Sequence, residues 1–440
     1  GQSLTVDIVE QIGRAIGTEA LAAGDRAVVV GRDGRLSGPA IAAALTEGIC
    51  AAGCDAVDIG MVPTPLTYFA TQALNIGSAV SVTGSHNPPD YNGLKVMVGT
   101  HTLAAERIQD LRKRIEDQNF SVGAGQRRTE NVVPEYMRQV IADIRLKRPL
   151  RVVTDCGNGV AGMAAPRLMR DIGCDVVELY SDVDGTFPNH HPDPSVAANL
   201  APLIQAVRRE EADLGVAFDG DGDRLGVVTN TGQVIWPDRQ MILFARDILS
   251  RNPGAKIIYD VKCTRLLPAA IEHAGGDALM WKTGHSFIKA KLRETGGAFG
   301  GEMSGHLFFK ERWYGFDDAL YAAARLCEVL SNDSRPPSAV FAEIPDTVNT
   351  PELRIEMQEG EHHALIRELV AEGDFSDGQT CNIDGVRVDF EDGFGLARAS
   401  NTTPTVILRF EADTEAALRR IQDLYRAQIL ALRPELVLPF

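Results

Sequence analysis

The sequence predicts an α/β protein: three similar domains built on mixed or parallel sheets, followed by a smaller α+β domain. Short runs of Val, Ile and Leu alternate with helical periodicity over most of the length, as expected of sheets covered by helices on both faces. The alternation begins afresh roughly every hundred residues, which reads as three related units in tandem. From about residue 350 the order changes to strand, helix, several short strands and a long terminal helix.

In the first unit, residues 27–31 read as a buried strand, 39–53 as a helix, and 55–60 and 79–83 as further strands. The second opens with a strand at 150–155 and a helix at 160–173, then strands at 175–180 and 214–219. The third has strands at 256–261, 278–282 and 298–302 and a helix at 264–275. Helices are expected at 361–372 and 414–432 in the last domain. The polar, Pro-rich SNDSRPPS at 331–338 reads as a linker just before the change. These signals divide the chain into domains at 1–131, 132–233, 234–345 and 346–440.

A length of 440 residues exceeds one ordinary core, and 44% hydrophobic with 24% charged residues is an ordinary globular composition. No apolar run approaches the roughly 20 residues that span a bilayer, and no secretory segment opens the chain. The net charge of −16 disfavours nucleic acid and anionic membrane as partners, since their phosphates reward the opposite sign. A small anionic substrate remains open to it, held by a local cluster of Arg, Lys and backbone N–H groups with a bound cation. The seven cysteines (Cys50, Cys54, Cys156, Cys174, Cys263, Cys327 and Cys381) are scattered and lack zinc-ligand spacing. They read as small buried residues in a reducing compartment, the cytoplasm. The acidic surface, without an obvious exposed apolar patch, points to a monomer.

Four segments carry chemistry. TGSHNPP (83–89) ends a strand, and its two prolines hold Ser85, His86 and Asn87 in a defined loop. Ser85 there is either a nucleophile or phosphate carrier, or part of a turn whose side chains cap backbone groups. DGDGDR (219–224) sets Asp219, Asp221 and Asp223 close together, where they repel unless protons or a cation neutralise them. The intervening glycines allow all three to aim at one point, and oxygen-only ligation suits Mg²⁺ or Ca²⁺. An EF-hand is excluded, because Arg224 and Asn230 stand where Gly and Glu are required; a solvated acidic turn is the alternative. GEMSGH (301–306) offers Glu302 and Ser304 to sugar hydroxyls and His306 to a proton, or simply a structural histidine. RASNTTP (398–404) is an anion cradle led by Arg398, or a Ser/Thr-rich turn. Lys95, Lys262, Arg224, Lys282 and His285 add cationic or titratable groups near these loops, and NHHPDP (189–194) reads as a rigid turn without a metal.

Together and in this order, the segments resemble the α-D-phosphohexomutase superfamily, most closely the bacterial bifunctional phosphomannomutase/phosphoglucomutase branch. The match runs from residue 12 to 440 through GRDGRLSGP (31–39), TGSHNPPDYNG (83–93), DGDGDR, DVKCTR (260–265), KTGHS (282–286), GEMSGH and RASNTTP. The resemblance implies a central cleft between three α/β domains and a C-terminal domain similar to the TATA-binding-protein fold. It implies reversible conversion of the 1- and 6-phosphates of glucose and mannose through a 1,6-bisphosphosugar that turns around in the cleft. Mg²⁺ and glucose 1,6-bisphosphate are the implied cofactor and activator, with hexose phosphates the only implied partners. Ser85 would carry the phosphoryl group and, with Asp219, Asp221 and Asp223, bind the metal. Lys95 and His306 would be the proton-transfer candidates, with His86 and Arg224 supporting the phosphoryl group. Glu302 and Ser304 would read sugar hydroxyls with Lys262, Thr283, Gly284 and His285, and Arg398, Ser400, Asn401 and Thr402 would hold the phosphate that is not reacting.

An aspartate-based phosphatase competes with this reading but leaves GEMSGH and RASNTTP without a role. A phosphoglucosamine mutase would have a C-terminal loop closer to R-x-S-G-T-E-P, and a non-catalytic binding protein would leave Ser85 unphosphorylated. The family normally carries Tyr and an Asp-Ile-Arg-Gly stretch before its first helix. That stretch is absent from GQSLTVDIVEQIGRAIG, so an N-terminal segment contributing to the cleft is expected to precede this sequence.

Overall fold

Each of the first three units is organised around one central strand. In the first it is Ala27–Arg32, with Asp55–Met61 parallel on one side and Ser78–Val82 parallel on the other, and Leu94–Val98 returns antiparallel beside Ser78–Val82. The computed structural model describes residues 4–104 and 106–440, so residues 1–3 of the opening segment lie outside the described residues. The second unit repeats the pattern around Arg151–Asp155, with Asp175–Leu179 and Leu214–Phe218 parallel and Leu225–Thr229 antiparallel. The third does so around Lys256–Asp260, with Asp277–Trp281 and Phe299–Gly301 parallel and Leu307–Phe309 antiparallel. One topology therefore occurs three times, as the restarting rhythm of the sequence predicts. Interior strands such as Ala27–Arg32, buried at all but its end residues, and Leu214–Phe218, buried throughout, have helices over both faces, which is why they read as apolar runs.

The expected helices form with shifted ends: Gly38–Ala51 for 39–53 and Leu266–His273 for 264–275. The helix expected at 160–173 is instead a 3₁₀ turn, Val160–Met163, followed by a separate helix, Ala165–Asp171. Pro166 decides the break: it has no N–H to continue the earlier turn but suits the first turn of a new helix.

The polar 331–338 stretch is not a free linker. Arg335 pairs with Asp333 and Glu343, and the helix Pro337–Phe341 that follows buries Val340 and Phe341. Those residues and Ile344 belong to one apolar core that runs continuously through the first three units. The fourth domain begins beyond it. Its antiparallel sheet runs in the order Val348–Asn349, Thr405–Ala412, Gly393–Ala399, Val386–Phe390, Gln379–Cys381, and Leu353–Glu356 also pairs with Thr405–Ala412. The helices Glu361–Glu372 and Glu415–Leu432 close over a separate core, the latter capped by Thr414, whose side chain accepts from the Ala417 N–H. Third and fourth domains meet through a small apolar cluster of Val261, Phe394 and Leu396. Beside it, Arg387 donates to the carbonyls of Val261 and Cys263 at 2.7 and 2.8 Å. The cysteines are free thiols, with Cys50 and Cys381 half-buried and the rest buried. Among the described residues, no helix is long and apolar enough to cross a membrane.

Candidate active site

The three repeated units place their chemistry at one topological address. TGSHNPP joins Ser78–Val82 to Leu94–Val98, DGDGDR joins Leu214–Phe218 to Leu225–Thr229, and GEMSGH joins Phe299–Gly301 to Leu307–Phe309. Each loop leaves the C-terminal end of a parallel strand, where the sheet no longer consumes backbone groups and ligands collect.

The first two loops meet directly. Ser85 Oγ donates to Asp219 Oδ2 at 3.1 Å and lies 3.3 Å from His86 Nδ1. Ser85 adopts φ +48°, a left-handed conformation that a residue with a Cβ keeps only where its surroundings hold it. Asp219, Asp221 and Asp223 are fully buried, and Gly222 at φ +76° makes the turn that brings them together. Asp219 Oδ1 accepts from the backbone N–H of Asp223 and Arg224 at 3.0 and 3.1 Å. Lys95, on Leu94–Val98, reaches across from the first unit to donate to Asp221 Oδ2 at 2.8 Å and to Asp223 Oδ2, while Thr64 Oγ1 donates to Asp221 Oδ2.

The electrostatics follow from this packing. Burial raises the Asp219 carboxyl well above the usual carboxylate range, and the charges of Asp223 and Asp221 raise it further. Burial acts the same way on Asp221, but the Lys95 ammonium outweighs it and holds that carboxyl below its ordinary value. Burial also opposes the charge on Lys95, yet Asp221 and Asp223 keep it an ammonium. The Arg224 charge, then burial, push His86 down to about 3, so its ring is neutral at pH 7. Asp221 Oδ1 and Asp223 Oδ1 are buried without a hydrogen-bond partner among the described residues, and ligand oxygens of the three carboxylates lie within 4.8 Å of one another. Orphaned carboxylate oxygens in an all-oxygen donor set fit a hard divalent cation.

The third loop closes the group. Arg224 Nε donates to His306 Nε2 at 3.1 Å and lies 3.8 Å from Asp219 Oδ2. An Nε2 that accepts leaves the imidazole proton on Nδ1, which faces Asp223 Oδ1 at 3.5 Å and Asp317 Oδ2 at 3.4 Å. Asp317 also receives Lys289 Nζ at 2.8 Å and lies 3.4 Å from His285 Nδ1. Burial and then the Lys289 ammonium hold His285 well below the ordinary imidazole range. Glu302 is buried, accepts from the Gly284 N–H, and is raised by that burial. Ser304 is half-buried on the same loop.

The remaining predicted residues sit where the third and fourth domains meet. Lys262 Nζ pairs with Glu352 Oε1 at 2.5 Å. Asp384 accepts from the Thr283 N–H at 2.9 Å and from Arg398 Nε at 2.9 Å, joining the KTGHS loop to the hairpin of RASNTTP. Ser400 Oγ accepts from the N–H groups of Thr402 and Thr403, both at 3.3 Å, and Asn401 and Thr402 are exposed at the hairpin tip. Ser85, His86, Lys95, the three aspartates, Arg224, His285, Glu302 and His306 thus form one cluster, and Arg398 and Lys262 lead a second.

Sequence reasoning missed Thr64, Asp317, Lys289, Glu352 and Asp384, which stand outside any motif and enter only through tertiary packing. NHHPDP, read as a rigid turn, lies beside the Ser85 cluster. Asp193 is lowered by the Arg224 charge despite its burial, and His190 Nε2 lies 3.0 Å from Asp155 Oδ1.

The comparisons with known proteins match this arrangement. Phosphoglucomutase/phosphomannomutase alpha/beta/alpha domains I, II and III match residues 1–121, 134–232 and 236–348, and the C-terminal domain of the same family matches 352–428. The chain belongs to the phosphoglucomutase/phosphomannomutase family of the α-D-phosphohexomutase superfamily. It is 54% identical over 440 residues to a phosphomannomutase/phosphoglucomutase of Pseudomonas aeruginosa, covering 100% of this chain and 95% of that one. It is 51% identical over 443 residues to a phosphoglucomutase of Neisseria meningitidis, covering 100% and 96%. The crystal structure of a phosphoglucomutase/phosphomannomutase family protein from Burkholderia thailandensis superposes with a TM-score of 0.95 at 53% identity, covering 100% of this chain and 96% of that one.

Proposed function

We propose that this protein interconverts hexose 1-phosphates and hexose 6-phosphates of glucose and mannose, with Ser85 as phosphocarrier. The observation that carries the assignment is Ser85 Oγ standing 3.1 Å from Asp219 Oδ2 at the edge of a buried carboxylate triad. Phosphorylated Ser85 donates to the free hydroxyl of a hexose monophosphate. The Oγ–P bond breaks, a sugar O–P bond forms, and the hydroxyl proton passes to a base. His306 suits the base once the substrate hydroxyl displaces Arg224 Nε from its unprotonated Nε2; Lys95, held as an ammonium, contributes charge instead. The 1,6-bisphosphosugar then turns around and returns its other phosphoryl group to Ser85.

Asp219, Asp221 and Asp223 would hold Mg²⁺, which supplies positive charge against the negative charge spreading over the transferred oxygens. Arg224 adds a fixed cation on the same side, and neutral His86 avoids pairing with the phosphoryl group too tightly to release it. Glu302, Ser304, Lys262, Thr283, Gly284 and His285 would contact sugar hydroxyls. Arg398, Ser400, Asn401 and Thr402 would take the phosphate that is not reacting. The separate core of the fourth domain and the small size of the apolar cluster that joins it to the third support movement of that grip between two substrate orientations.

The test is ³¹P NMR of glucose 1-phosphate with the enzyme, Mg²⁺ and a trace of glucose 1,6-bisphosphate. Glucose 6-phosphate should appear, and chelation or Ser85→Ala should abolish it. Release of inorganic phosphate instead would make the centre a phosphatase.

A further inference from the structure

We infer that Arg35 is a positioning residue for the phosphocarrier loop, holding Ser85 on line with the carboxylate triad without touching the transferred group. The inference rests on the reading of Ser85 as phosphocarrier. Arg35 lies in GRDGRLSGP, and its side chain is fully buried. Nη2 donates to the backbone carbonyls of Ser85 and Asn87, both at 2.7 Å. Nη1 donates to the Tyr91 carbonyl at 2.9 Å and to that of Pro88. Nε donates to Asp33 Oδ2 at 3.0 Å. Asp33 in turn accepts from Thr83 Oγ1 at 2.8 Å and from the Gly84 N–H at 3.2 Å. The whole turn from Thr83 to Tyr91 is therefore wrapped around one ion pair.

The fit is tight on both sides. A Cβ placed on Gly84 would come 2.4 Å from Arg35 Cζ, so only glycine lets the guanidinium approach the loop. From the second unit, the Phe187 ring lies 5.3 Å from the guanidinium carbon, and a Cβ on Gly185 would come 2.7 Å from Arg35 Cα. The cation is thus shared between the unit that carries Ser85 and the unit that carries the aspartates.

This arrangement has a chemical consequence. Backbone carbonyls carry partial negative charge, and facing the cleft they would oppose a phosphoryl dianion on Ser85. By donating to the carbonyls of Ser85, Asn87, Pro88 and Tyr91, Arg35 offsets their partial charge and fixes the left-handed backbone that aims Oγ at Asp219. Lysine cannot replace the planar fork, because a single ammonium does not span these acceptors and Asp33 together.

The experiment compares Arg35→Lys and Gly84→Ala with wild type and with Tyr136→Phe, which removes a buried hydroxyl bonded to Asp318 rather than to this loop. Each is measured for Tm, for kcat and KM with glucose 1-phosphate, and for Ser85 phosphate occupancy by intact mass after incubation with glucose 1,6-bisphosphate. Both loop variants should keep KM within about two-fold and lose about thirty-fold or more in kcat, well beyond Tyr136→Phe at comparable Tm loss. Retained kcat at matched Tm, or a loss confined to KM, would overturn the inference. If Arg35→Lys does not fold, Gly84→Ala carries the test, since it displaces the guanidinium without deleting it. Wild type that never carries phosphate on Ser85 would overturn the phosphocarrier reading, a result distinct from wild-type behaviour in the two variants.

Discussion

Lys95 Nζ donates to Asp221 Oδ2 at 2.8 Å across 126 residues of chain, so the cation that steadies the carboxylate triad comes from a different domain. Lys95→Ala leaves buried carboxylates short of their fixed partner, a loss on the order of 3–5 kcal/mol when a buried pair is broken. In metal-free buffer the Tm should fall by several degrees, and kcat should fall about a hundred-fold or more. Added Mg²⁺ should recover more Tm in Lys95→Ala than in wild type. Equal Mg²⁺ effects in the two proteins would show that lysine and metal do not share the triad.

Metal binding itself is measurable without turnover. At free Mg²⁺ about a hundred times its Kd, linkage predicts about 2.7 kcal/mol of added stability. Differential scanning fluorimetry should show that rise, and chelator should remove both it and the activity. In Asp221→Asn or Asp223→Asn the rise should shrink to near zero, with kcat down about a thousand-fold.

Asp318 gives a pH dependence of stability. Its carboxylate accepts from the Tyr136 hydroxyl at 2.9 Å, Trp313 Nε1 at 3.1 Å and the Tyr321 N–H at 3.0 Å, capping the helix Ala319–Ser331. Burial dominates these bonds and raises the group from 3.8 to about 7. The folded protein therefore holds a proton that the unfolded chain has lost between those values, and this group's stabilisation declines as pH rises from about 4 through 7. Over that window the change is about 4 kcal/mol at 1.36 kcal/mol per unit. Denaturant melts at pH 5 and pH 8 should show a stability difference that Asp318→Asn diminishes; an unchanged difference would rule the group out as its source.

Arg398 is paired with Asp384 rather than free, so in the proposed role a substrate phosphate would have to take over a guanidinium already in use. Arg398→Ala should raise KM for glucose 1-phosphate about ten- to a hundred-fold, while Arg398→Lys, lacking the fork, recovers only part of it. Steady-state kinetics would oppose the phosphate-grip role if KM stayed at the wild-type value.

The parts of the molecule legible in the sequence are those where function and chain proximity coincide. Asp219, Asp221 and Asp223 fall within five residues, and glycine spacing alone suggests their convergence. The central strands are equally plain, because burial on both faces leaves no polar interruption. Asp317 and Asp384 carry no such mark. Asp317 takes its meaning from His306 and Lys289, brought to it by packing within the third domain, and Asp384 from Arg398 and Thr283, the latter reached across the junction of the third and fourth domains. The misread linker has a similar cause: polarity at 331–338 reflects ion pairs and a helix start, while Val340, Phe341 and Ile344, which tie the segment to the core, lie just beyond it.

The three site loops occupy the same joint in three copies of one topology. On the proposed function, one copy presents the nucleophile, the next the negative charge that gathers cations, and the third the polar groups for the sugar. Such a centre needs no element that the repeated unit did not already possess. It needs like parts set around a point and allowed to drift apart in what they offer there. Substitutions that tilt one copy against another should then be felt more keenly than those within any copy's outer helices, because the division of labour exists only where the copies face one another.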